Sequence, residues 1–187
     1  TNASPVVAPP GGNKRVIGTN PIAMTVPGES EPVMHFDFST SAVALGKITM
    51  AKAAGESIPL GWAVDENGAP TTDPEAALKG ALVSAGGYKG WGFGLMVELL
   101  AAGMTGSVNS LDVAGLKVAE GKPHDLGQFY ILMDPGTYHA DFGARFARVA
   151  EAVAAQEDAR IPGADRQAMT QVDVPDALWD LVLTLSA

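Results

Sequence analysis

Gly86-Gly87-Tyr88-Lys89-Gly90-Trp91-Gly92-Phe93-Gly94-Leu95-Met96-Val97-Glu98-Leu99-Leu100 joins five glycines in nine residues to an almost wholly apolar helical run. Glycine lets backbone pass close to another surface or to a ligand. A helix starting here aims its unpaired N–H groups and the positive end of its dipole at the glycine turn, where an anion can be held with help from Lys89. The same pattern fits a buried helix packed on a sheet, with Lys89 reaching out to water. Spacing alone leaves both readings open. Two common nucleotide motifs are absent: no Gly-Lys-Ser/Thr completes a P-loop, and Ala81-Leu82-Val83-Ser84 is not the strand-like run that should precede a dinucleotide fingerprint at Gly90-Trp91-Gly92.

Upstream of this stretch, Pro9-Pro10-Gly11-Gly12, Gly18-Thr19-Asn20-Pro21 and Pro27-Gly28 punctuate short apolar pieces, with Ile22-Ala23-Met24-Thr25-Val26 the clearest strand. Val33-Met34-His35-Phe36-Asp37-Phe38 is a second strand, and Ser39-Thr40-Ser41 offers hydroxyl caps for a helix through Ala42-Val43-Ala44-Leu45, near whose end Lys47 falls. Asp37 thus lies where strand gives way to helix, a position with unpaired backbone groups. Residues 58–70 read as loop, short strand and Asn-Gly turn, and Thr71-Thr72-Asp73-Pro74 as a capped helix start. Downstream, residues 109–124 read as a surface connection and residues 127–135 as a strong strand. Phe142, Phe146, Val149, Ala150 and Val153 mark an amphipathic helix over 141–156, explained by core packing. Arg160 to Arg166 reads as a turn, and Pro175 opens a last short helix. Strands and helices alternate irregularly, which predicts an α+β fold, a mostly antiparallel sheet flanked by helices. A unit over 1–140 and a helical segment over 141–187 are expected.

Composition narrows the function. The 187 residues are 47% hydrophobic, enough for a core, and the net charge of −9 disfavours nucleic acid as a partner. The chain has no cysteine, so thiolate chemistry and disulfides are out, no metal site is proposed, and a reducing cytoplasm fits. No apolar run reaches the roughly 18 residues of a membrane span. The chain starts at Thr1, which reads as the interior of a longer product or as a cleavage site. A Thr1 exposed by cleavage could use its own amine as base and its hydroxyl as nucleophile, giving an amide hydrolase. A non-catalytic remnant is the third reading.

Six phrases in order carry a resemblance: Gly18-Thr19-Asn20-Pro21, Phe36-Asp37-Phe38-Ser39-Thr40-Ser41, Gly46-Lys47-Ile48, Ile58-Pro59-Leu60-Gly61-Trp62-Ala63-Val64-Asp65, Gly68-Ala69-Pro70-Thr71-Thr72-Asp73-Pro74 and Gly86-Gly87-Tyr88-Lys89-Gly90. Together they resemble the malate/L-lactate dehydrogenase family that lacks a Rossmann fold, from Thr1 to about Arg166. The resemblance implies an oxidoreductase with NAD or NADP as cofactor, generally a homodimer, transferring hydride to or from a 2-oxo acid, 2-hydroxy acid or cyclic imine. By motif it implies cofactor contacts at Asp37, Phe38, Ser39, Lys89, Pro162 and Gly163, substrate contacts at Thr19, Leu45 and Gly46, and Lys47 where some members carry a charge-relay aspartate. It also implies that the acid/base histidine belongs to a region preceding the part matched here, and His35, His124 and His139 do not match its motif. The expectation is a C-terminal portion that works with the missing N-terminal chain supplied separately.

Overall fold

A computed structural model describes residues 1–28, 32–115, 123–163 and 170–185. Strands β1 (Ile22–Val26) and β2 (Met34–Phe38) form an antiparallel pair in which Ile22 faces Phe38 and Val26 faces Met34. A second antiparallel sheet has the order β4-β3-β5, from β3 (Ala63–Val64), β4 (Pro70–Thr71) and β5 (Ala81–Leu82). Val7 extends it: this residue bridges Leu82 in parallel fashion and Ile17 in antiparallel fashion. Val7, Ile17, Ile48, Ala63, Ala77 and Leu82 form the buried centre, and Trp62 and Trp91 pack on it.

Helices cover this core. α1 spans Leu45–Ala54 and ends at Gly55 in the left-handed conformation, and α2 (Pro74–Lys79) opens on Asp73, whose side chain accepts from the Glu75 N–H. α3 (Tyr88–Glu98) runs on through a π-helical turn at Leu99–Gly103, and a 3₁₀ turn follows at Ser110–Asp112. Beyond these come α4 (Pro135–Tyr138), α5 (Phe142–Ala154) and α6 (Asp176–Leu185). Among the described residues no helix is long and apolar enough to cross a membrane.

The α+β architecture expected from the pattern is the one observed, and six local readings are corrected. Residues 127–134 form no strand: Gly127 is pinned by Asn2 Oδ1, and Tyr130 to Met133 stand exposed without a sheet partner among the described residues. The hydroxyls of residues 39–41 cap no helix, because α1 starts later, at Leu45, and Ser41 Oγ donates to the Val43 carbonyl. Lys47 therefore lies in the first turn of a helix that continues to Ala54. A strand does precede the glycine stretch, β5, but it joins an antiparallel sheet and so makes no dinucleotide-binding unit. The 109–124 connection is not all surface: Ser110 is fully buried, while residues 116–122 lie outside the described ones. Finally, α5 buries no residue fully, and Phe142, Phe146, Ala150 and Val153 are half-buried, so core packing accounts for only part of its apolar face.

The glycines of α3 divide by task. Gly86 (φ +63°) and Gly87 (φ +64°) hold backbone conformations that a side chain strains, and they stand in open space. Gly90 and Gly94 instead permit close packing, since a Cβ on Gly90 would lie 1.9 Å from the Ala85 carbonyl oxygen and one on Gly94 would lie 2.7 Å from Ile17 Cδ1. A Cβ on Gly92 would meet nothing within 4 Å among the described residues. Gly90→Ala is expected to destabilise the fold by about 1–3 kcal/mol or more through overpacking. Gly92→Ala, two residues along, should be neutral or gain ~0.5–1 kcal/mol from helix propensity. Urea midpoints of the two variants check the opposite signs.

Candidate functional site

Thr40 ties the site together. It is 4% exposed, and its N–H and Oγ1 both donate to the Thr19 carbonyl, at 2.9 and 3.0 Å. The hydroxyl also reaches the Asn20 carbonyl at 3.2 Å, while the Thr40 carbonyl accepts from the Ala85 N–H at 3.0 Å. One residue thus joins the end of β2, the Thr19-Asn20 turn and the loop that leads into α3. The Ser41–Ser84 bridge and the Ala42 N–H to Val83 carbonyl bond continue the seam.

The expected cofactor residues fall at the end of β2, at the start of α3 and on a turn against β2. Asp37 and Phe38 end β2 and are exposed, and Ser39 accepts from the Ser41 hydroxyl at 3.0 Å. Lys89 is exposed in the first turn of α3, behind the open Gly86-Gly87 turn. The Pro162-Gly163 turn lies against β2 from its other side: the His35 N–H donates to the Pro162 carbonyl at 3.1 Å. Gly163 has φ +86°, and a Cβ there would lie 2.2 Å from the His35 carbonyl oxygen. The rest of the turn, from residue 164 on, is outside the described residues.

The expected substrate residues divide into two groups. Thr19 is locked to Thr40, whereas Leu45, Gly46 and Lys47 form the first turn of α1, reached through the Ser39-Thr40-Ser41 turn. Leu45 packs on the core, and Gly46 and Lys47 are exposed. Thr1 does not stand free as a nucleophile: its hydroxyl is engaged with the Gly127 carbonyl at 2.6 Å and the Asn2 carbonyl at 3.1 Å. Burial lowers the pKa of its amine from the ordinary 8.0, with the Asp37 carboxylate opposing the shift.

A groove of about 1030 Å³ opens beside the site, with Met24, Asp37, Met96, Leu100, Phe129 and Tyr138 among its lining residues. Its walls are largely apolar. The neighbouring segment carries Ile131, 68% exposed, and Leu132, 90% exposed, more apolar surface than an isolated soluble chain commonly presents in one place.

Three residues of this region escaped the sequence reading: Asn20, Glu98 and Ser110. Asn20 is fully buried with φ +37°, and its Nδ2 donates to the Gly94 carbonyl at 3.0 Å and to Glu98 Oε2 at 2.9 Å. Glu98 also accepts from the Ser110 N–H at 2.7 Å and the Ser110 hydroxyl at 2.5 Å. The available signal was the single carboxylate in Leu95-Met96-Val97-Glu98-Leu99-Leu100, because a charge in an apolar helix needs partners.

The model of the malate/L-lactate dehydrogenase family matches residues 1–180, and the chain belongs to that family. It is 39% identical over 185 residues to the (2R)-3-sulfolactate dehydrogenase (NADP(+)) of Chromohalobacter salexigens, covering 96% of this chain and 56% of that one. Identity is 41% over 190 residues with the Delta(1)-pyrroline-2-carboxylate/Delta(1)-piperideine-2-carboxylate reductase of Pseudomonas aeruginosa, with the same two coverages, 96% and 56%. The crystal structure of delta1-piperideine-2-carboxylate reductase from Pseudomonas syringae pvar. tomato superposes with a TM-score of 0.84 at 33% identity, covering 99% of this chain and 58% of that one. The chain therefore spans somewhat more than half the length of the curated relatives it matches. These relatives are named as dehydrogenases and reductases, which supports the oxidoreductase expectation and not an amide hydrolase at Thr1.

The contact between the Pro162-Gly163 turn and β2 is directly testable. Gly163→Ala should force the turn off the strand and raise amide exchange at His35 roughly tenfold or more, because its acceptor is withdrawn. Unchanged exchange in nuclear magnetic resonance spectra of the variant would contradict the contact.

Proposed function

We propose that this chain is the cofactor-holding portion of an NAD(P)-dependent oxidoreductase that transfers hydride between nicotinamide and a 2-oxo acid, a 2-hydroxy acid or a cyclic imino acid. The observation that supports the reading best is the convergence on Thr40. Thr19, residues 37–39 and the start of α3 are joined through its hydrogen bonds, and the Pro162-Gly163 turn is fastened to the same strand. Open space at Gly86 and Gly87 lets a ligand approach the helix N-terminus, which suits the cofactor.

In this reading Lys89 and the first N–H groups of α3 hold a phosphate, Asp37 accepts from ribose hydroxyls, and Phe38, Ser39, Pro162 and Gly163 line the remainder of the cofactor. Nicotinamide, when bound, supplies or accepts the hydride. Thr19, Leu45 and Gly46 orient the acid, and Lys47 serves as a relay. The acid/base histidine comes from a complementing N-terminal polypeptide that covers the apolar groove and the exposed faces of α5 and α6, with residues 1–140 forming the cofactor unit and 141–187 the segment that packs with it. The assembled enzyme is a cytoplasmic homo-oligomer acting on a small molecule. The net charge of −9 argues against nucleic acid as a further partner.

Titration of the chain with NADH and NADPH, followed by nicotinamide fluorescence, tests the cradle. Saturable binding of one or both is expected, with Lys89→Ala raising the dissociation constant about tenfold through loss of a charge-assisted contact. Equal affinity in the variant would remove Lys89 from the site, and no binding of either cofactor at millimolar concentration would overturn the proposal.

A further inference from the structure

We infer that Glu98 is a positioning residue that fixes the distance between Thr19 and the N-terminal end of α3, acting through Asn20. The inference rests on the proposed function for what Thr19 and Lys89 hold, but its geometry stands on this chain alone. Glu98 lies in the last turn of the helix whose first turn carries Lys89. Its carboxylate is half-buried and accepts three hydrogen bonds, one from Asn20 Nδ2 and two from Ser110. A carboxylate in so apolar a helix is tolerated because it is fully used.

Asn20 carries the restraint to the site. Its amide is held in one orientation by two acceptors, the Gly94 carbonyl and Glu98, while its buried Oδ1 has no partner among the described residues. Turning the amide over would set that oxygen against both acceptors. The backbone at Asn20 is left-handed, a conformation that asparagine tolerates but that persists only where surroundings impose it. Its peptide neighbour Thr19 is bound to Thr40 on the other side. The Thr19-Asn20 unit is consequently clamped between α3 and the end of β2. Gly94 makes the clamp tight, since a Cβ there would lie 3.1 Å from Thr40 Oγ1. Hydride transfer depends steeply on how donor and acceptor are held, so loosening the clamp should slow the reaction before it weakens cofactor binding.

The test is Glu98→Gln, which offers one acceptor oxygen where the carboxylate serves three donors, beside the milder Ser110→Ala, which removes one donor and leaves the Asn20 link. In the isolated chain, amide exchange at Thr40 and Ser110 should accelerate about tenfold in Glu98→Gln and less at Thr40 in Ser110→Ala. In the chain assayed with its complementing polypeptide, kcat should fall about tenfold or more in Glu98→Gln, with the NAD(P)H dissociation constant unchanged within about twofold. Failure of Glu98→Gln to fold shifts the comparison to Ser110→Ala, where a smaller kcat loss with intact cofactor binding is the expected result. Wild-type chain that neither binds cofactor nor turns over would overturn the proposed function and the inference with it. Wild-type turnover with Thr40 exchange and kcat unchanged in Glu98→Gln, or with cofactor affinity falling as much as kcat, would overturn the positioning role alone.

Discussion

The hydrogen bonds of Thr40 are the constraint on which the rest of this structure depends. A single buried hydroxyl and its peptide group fasten the Thr19-Asn20 turn and the loop before α3 to the end of β2. Each of these segments is short and polar, and none could hold its place by apolar burial alone. Removing the hydroxyl takes this donor from the buried Asn20 carbonyl, which costs more than an ordinary hydrogen bond contributes, while the Thr19 carbonyl keeps the Thr40 N–H. The seam also brings separate phrases of the sequence together, because the Thr19-Asn20 turn, the end of β2 and the loop before α3 are hydrogen-bonded to one another.

The glycine stretch carries the packing that its sequence left open, and its first turn is also open to a ligand. Gly90 and Gly94 bring α3 against Ala85, Ile17 and Thr40, so part of the glycine content is packing. Gly86 and Gly87 bend the chain and keep the helix N-terminus open, so part is access. A phosphate site at a helix start and tight packing one turn later are compatible demands on one segment. They fall on different glycines.

Local chemistry made much of this fold legible. β1 was marked by its apolar run between prolines, α2 by Asp73-Pro74, and α5 by its 3.6-residue period. What failed were elements whose partners lie elsewhere. Residues 127–134 have strand composition but find no neighbouring strand among the described residues, and the apolar stripe of α5 is only half-buried. Both point outward to apolar surface that this chain does not cover, in keeping with its spanning 56% of the Chromohalobacter relative. For the candidate site, the resemblance names Asp37, Lys89 and Thr19. The network beneath them could not be read, because Asn20, Thr40, Glu98 and Ser110 meet only through long-range folding, Asn20 and Glu98 standing 78 positions apart.

The most direct test of the cofactor cradle is backbone amide chemical-shift mapping of the chain titrated with NADPH and NADH. Saturable shifts concentrated at Phe38 and Ser39, at Lys89 and Gly90, and at Gly163 are the predicted result. Saturable shifts confined to another face, or none at these amides at millimolar cofactor, would contradict it.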